Sequence, residues 1–217
     1  MNMTTLRFHP YSPISNMPLL ALLVVMISLL SWCGLQIDAH IADENDLLEW
    51  SQALLLALAC GVHARRAWRA PRASVSFALH LGLAILMYGF LLRELDIDNF
   101  GEHVLWTWIE RGFRFTELLM WIAYLVFMVP RSAALFSNRA TIFAMPVMTL
   151  TLVGGLFMLA GWPFDKAVFH GLSHAINELG EEVLELNAYL ILLFAALADS
   201  SAGLHLRSAV ARRRPGV

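Results

Sequence analysis

Six apolar runs, each about as long as a bilayer is thick, constrain this chain more than any other feature. A helix needs roughly 20 apolar residues to cross a membrane. In lipid the backbone must satisfy its own hydrogen bonds, which leaves helices or a closed barrel. Barrel strands alternate polar and apolar residues over about ten positions. These runs are twice that long and do not alternate. Of the 217 residues 59% are hydrophobic and 15% are charged, against about 25% charged in a soluble domain. The pattern predicts an all-α fold, an integral membrane bundle of six transmembrane helices, forming a single transmembrane domain over residues 1–217.

The predicted helices span about Pro18–Ile37, Asp46–Ala64, Ser74–Leu92, a fourth ending near Val129, Ala140–Gly161 and Val168–Ala198. Pro18 suits a first turn, with Asn16 as its cap. The first run is longer than the apolar core of a signal peptide, so an uncleaved anchor is expected. His103–Glu117 mixes aromatic and charged residues. It reads either as an interfacial helix or as the wet first half of the fourth span. Cys33 and Cys60 fall near opposite ends of their helices, about 14 Å apart in depth. Disulfide-bonded Cα atoms lie within roughly 7 Å, so no intrachain bridge is expected.

Basic residues near the helix ends set orientation. With the N-terminus inside, Arg7, Arg65, Arg66, Arg69, Arg72, Arg131, Arg139, Arg207, Arg212, Arg213 and Arg214 fall on the cytoplasmic side. Only Arg93, Arg111, Arg114 and Lys166 fall outside. Both termini are therefore expected in the cytoplasm. In this topology every acidic residue except Asp199 gathers at or near the outer face, joined by His40, His103, His170 and His174.

Three stripes carry chemistry to that face. His170, His174, Glu178, Glu182 and Glu185 succeed one another at helical spacing, with Glu181 beside them. Asn45, Glu49 and Gln52 do the same on the second helix, and Glu110, Arg114 and Glu117 near the fourth. One reading is an interhelical ion network of Glu49, Arg93, Glu94, Arg114, Glu117 and Glu185, since charges within a membrane pair inside the bundle. The last stripe has no basic residue from Val168 to Ala198 to offset it. Like charges at this spacing repel, unless some are protonated, hydrated or bound to a cation. His170 and His174, with His103, form a candidate ligand set for a divalent metal such as zinc. Glu178 and Glu182 are the candidate catalytic bases. The competing reading makes both histidines plain polar residues of an interfacial turn.

Other features carry less. His80 stands alone in the third helix and is expected to hydrogen-bond a neighbour. Trp50, Trp106, Trp108, Trp121 and Trp162 suit an aromatic interface belt. Gly154, Gly155 and Gly161 suit close helix contact. The chain has no phosphate-binding loop, dinucleotide fingerprint, nucleophile elbow or zincin signature.

The segments Glu44-Asn-Asp-Leu-Leu-Glu-Trp50, Arg93-Glu-Leu-Asp96 and Glu181-Glu-Val-Leu-Glu-Leu-Asn-Ala-Tyr189 together resemble small bacterial inner-membrane proteins without an assigned activity. That resemblance covers most of the chain and implies an inner-membrane location. The late His-x-x-x-His pair, His170 and His174, is also similar to the zinc-binding histidines of the alkaline ceramidase superfamily of membrane hydrolases. That superfamily has seven helices and Ser and Asp motifs that this sequence lacks.

Three functional readings remain. The first is a non-catalytic assembly or partner-binding membrane protein. The second is a metal-dependent hydrolase embedded in the membrane and acting on a lipid. The third is a cation- or proton-binding transport component with Glu49, Glu117 and Glu185 as its relay. Membrane lipid and other membrane proteins are the expected partners, with no nucleic acid.

Overall fold

A computed structural model describes residues 17–37, 47–101 and 104–198, and no strand occurs among them. The helices are α1 (Met17–Ile37), α2 (Leu47–Arg69), α3 (Val75–Leu95), α4 (Val104–Met128), the short α5 (Ser132–Ser137) and α6 (Arg139–Phe143), α7 (Pro146–Asp165) and α8 (His174–Leu197). Five of them, α1, α2, α3, α4 and α7, are long and apolar enough to cross a membrane. At 24 residues α8 is equally long, but the carboxylates of its first half keep it out of that apolar set.

Local chemistry sets the boundaries, and three of them differ from the sequence expectation by five or six residues. The second helix continues through the basic segment to Arg69, where Arg66 and Arg69 suit the negative end of the helix dipole. The fifth long helix starts at Pro146 rather than Ala140. Proline lacks an N–H and fits a first turn, and Met145 before it is extended. The last helix starts at His174 rather than Val168, because Ser173 is extended and its Oγ accepts from the Ile176 N–H at 3.4 Å. The ambiguous stretch before Glu117 belongs, from Val104 onward, to one helix that runs to Met128. Both cysteines are free thiols.

Helix α8 is the hub, packed against α1, α2 and α7, while α2 pairs with α3 and α3 with α4. In lipid the hydrophobic effect does not hold helices together, so small residues and close contact must. Ala188, Ala195 and Ala196 on α8 have no exposed surface. Opposite them Gly154 of α7 lies so close that a Cβ would come within 3.0 Å of Leu192 Cδ2 and 3.2 Å of the Ala188 carbonyl. The core cluster of Leu56, Ala59, Met87, Tyr189, Leu192 and Ala196 joins α2, α3 and α8. Helix α4 stands at the edge, with Glu110 as its one buried residue among those described. An apolar groove of about 500 Å³ lies between α3 and α7, lined by Phe90, Thr151, Gly155 and Met158 with Leu192 at its floor.

Candidate functional site

The α2–α3 hairpin turns near Arg72, so residues equidistant from that turn meet at the same depth. Glu49 thereby falls opposite Glu94, and α8 runs alongside, with Glu182, Glu185 and Tyr189 spread over about two of its turns. Arg93 is the centre. Its Nε donates to Glu94 Oε1 at 2.9 Å, and its Nη2 donates to Tyr189 Oη at 3.0 Å and pairs with Glu185 Oε2. Tyr189 donates its own proton to Glu94 Oε1 at 2.8 Å. The guanidinium stands at the rim with 48% of its side chain exposed, while Glu185 has 10%. The charges thus point inward from a half-wet arginine to dry carboxylates.

A second contact closes the α2–α8 side. Gln52 has no exposed surface. Its Nε2 donates to Glu182 Oε2 at 2.6 Å and to the Glu182 carbonyl at 3.1 Å. Its Oε1 has no hydrogen-bond partner among the described residues. The crevice between Glu49, Trp50, Ala53, Glu94 and Leu95 admits no water-sized sphere.

The remaining expected members lie elsewhere. Arg114 pairs with Glu110 one turn away at 2.5 Å, not with the Arg93 group. Glu117 accepts from Trp121 Nε1 at 3.3 Å and rests against Gly89, where a Cβ would overlap its carboxylate. Glu110 also accepts from the Asp98 backbone N–H at 3.1 Å, which fastens the turn Ile97–Phe100 to α4. Asp96, in the left-handed conformation at φ 35°, ends α3 there. The oxygens of Asp96, Asp98 and Glu110 lie within 4.8 Å of one another. A hydrogen bond with Glu110 holds the Asp98 carboxyl above the usual aspartate range, and Arg114 balances Glu110.

His170 lies in the turn before α8 and is exposed, its N–H bonded to the Val168 carbonyl at 3.1 Å. His174 is the first residue of α8, with Nε2 3.2 Å from Glu178 Oε1 at an exposed position. His103 lies outside the described residues, as do Asn16, Asn45 and the chain termini. The stripe therefore divides. His174 and Glu178 meet at the surface, whereas Glu182 and Glu185 turn into the bundle.

The structure adds a buried imidazole pair. His63 of α2 and His80 of α3 are each 1% exposed, and their Nδ1 atoms lie 2.9 Å apart. One ring must donate and the other accept. Both residues are nearly equidistant from Arg72, which is the signal in the sequence for their meeting; the basic stretch around His63 masks it. Nearby, Arg66 Nη2 donates to the Leu197 carbonyl at 2.8 Å, and Nη1 bonds the Ala198 carbonyl. It thereby satisfies carbonyls at the end of α8. About 16 Å of α2 separates Gln52 from His63, and apolar Leu56, Ala59, Met87 and Leu192 fill that layer. Comparison with family models, with curated proteins and with solved structures finds no match.

Proposed function

We propose that the chain is a six-span protein of the bacterial inner membrane, with both termini in the cytoplasm and α8 as the sixth crossing. Its role in this reading is non-catalytic: the Arg93 network fixes one arrangement of α2, α3 and α8 for assembly with other membrane components. The observation that carries this is closure. Arg93, Glu94, Glu185 and Tyr189 bond one another, Gln52 bonds Glu182, and the adjoining crevice has no room for water. Within this network, therefore, neither Glu49 nor Glu94 has beside it the space for substrate and water that a hydrolytic base needs. The eleven-to-four distribution of basic residues supports the orientation.

One observation favours a second reading, cation or proton binding. Glu94 and Glu185 share a single guanidinium, Glu182 stands one turn before Glu185 on α8, and Gln52 Oε1 is an acceptor without a donor among the described residues. Further positive charge would suit such a cluster. The dry layer below it argues against a standing path across the bundle.

Purified protein in proteoliposomes separates these readings. The assembly role predicts no proton, sodium or potassium flux, and no bound metal by elemental analysis. Flux lost in Glu182→Gln would establish the transport reading instead. Stoichiometric zinc lost in His170→Ala/His174→Ala would establish a metal site.

A further inference from the structure

No acidic residue occurs between Glu117 and Asp165, yet this stretch carries Arg131 and Arg139. It contains the second half of α4, the short helices α5 and α6, and nearly all of α7. Where α5 and α6 bridge from α4 toward α7, they leave an apolar pocket of about 360 Å³ against α3 and α4. Ala78, Tyr124, Met128, Phe136 and Ile142 line it, and Arg139 is the one charged residue of its wall among the described residues. The Tyr124 hydroxyl is already committed to the Ala78 carbonyl at 3.1 Å, so the interior offers a ligand almost nothing polar.

The two arginines differ. Arg131 lies with its guanidinium carbon 3.7 Å from the centre of the Phe127 ring and donates to the Phe127 carbonyl at 2.7 Å. Exposed Arg139 uses one nitrogen, Nη1, which donates to the Phe136 carbonyl at 3.1 Å. Its Nε and Nη2 have no acceptor among the described residues. An apolar pocket holds no ordered water, and a guanidinium fork matches phosphate oxygens two at a time.

We propose that this pocket binds an anionic phospholipid, with an acyl chain among Ala78, Met128, Phe136 and Ile142 and its phosphate on Arg139. The occupant has both an apolar and an anionic part because the pocket has both an apolar lining and an uncompensated cation. The site rests on the five apolar spans and not on the assembly role proposed above. It stands whether the carboxylate network is structural or ion-binding.

The test uses the full chain in mild detergent, with thermal unfolding followed as lipid is added. Phosphatidylglycerol is expected to raise the melting temperature more than phosphatidylcholine of the same chain length, and inorganic phosphate is expected to have no effect. Arg139→Gln should weaken the phosphatidylglycerol response about fivefold, the worth of one basic residue near anionic lipid, and leave lipid-free melting unchanged. Ile142→Trp, which fills the pocket, should lower the response to both lipids. Arg65→Gln, at an exposed position on α2, should retain the full response. Equal responses to the two lipids in wild type overturn the proposal. So does an undiminished response in Arg139→Gln or Ile142→Trp, an equal loss in Arg65→Gln, or a shift with inorganic phosphate alone.

Discussion

Tyr189 donates its hydroxyl proton to Glu94 at 2.8 Å across the α3–α8 interface. The phenol is wholly buried, and the same oxygen accepts from Arg93 at 3.0 Å. One atom thus links the acid and the base of the network. Tyr189→Phe keeps the ring beside Phe90 but leaves Glu94 short of a donor. Glu94 keeps its bond from Arg93, so unfolding in detergent should show a loss of about 1–3 kcal/mol, the usual worth of a hydrogen bond to a charged group. An unchanged melting temperature would mean that the bond from Arg93 alone suffices for Glu94 and that the tyrosine hydroxyl adds nothing to the network.

Adjacent glycines on α7 should respond unequally. Gly154 abuts Leu192 and the Ala188 carbonyl, while a Cβ at Gly155 meets nothing within 4 Å. Gly154→Val is expected to push α7 from α8 and destabilise by about 1–3 kcal/mol. Gly155→Val should be close to neutral, because it projects into the groove. Equal effects on melting would contradict the close α7–α8 packing.

The histidine pair predicts non-additivity. His63→Leu alone removes the imidazole that faces the His80 Nδ1 within the bundle, and His80→Leu does the reverse. Each should cost about 1–3 kcal/mol. The double variant removes both polar groups and should cost clearly less than the two singles combined. Simple addition of the two losses would show that the rings do not depend on each other.

The six-span topology predicts reporter fusions that read cytoplasmic after Arg72 and Arg139, and external after Asp98 and Lys166. A cytoplasmic signal at Lys166 together with one at Arg139 would remove the crossing assigned to α7.

The helices are legible in the sequence because apolar length alone marks a helix long enough to cross a membrane, and α1, α3 and α4 keep closely to that pattern. The start of α7 is less visible. Ala140 to Met145 is as apolar as the body of α7, and only Pro146 marks the true first turn. Depth along the α2–α3 hairpin is readable too, since counting from the turn at Arg72 pairs Glu49 with Glu94 and His63 with His80. Rotation about each axis is not. Spacing places Arg114 and Glu117 at a useful depth, but α4 touches only α3 among the long helices closely, so its charges take local partners in Glu110 and Trp121. Tyr189 is hidden because an aromatic residue in an apolar run reads as core until its hydroxyl is seen beside Arg93.

Arg93 and Glu185 act as one unit between α3 and α8. A double-mutant cycle of Arg93→Met and Glu185→Gln, read by thermal unfolding in detergent, measures that dependence. Arg93 is half exposed and Glu185 is buried, so each single change should cost between about 1 and 3 kcal/mol, above a surface pair and below a fully buried one. The predicted result is a coupling of at least about 1 kcal/mol, with the double variant more stable than the sum of the single losses implies. Additive losses, or an Arg93→Met variant as stable as wild type, would contradict it and leave the carboxylates of α8 without their organising charge.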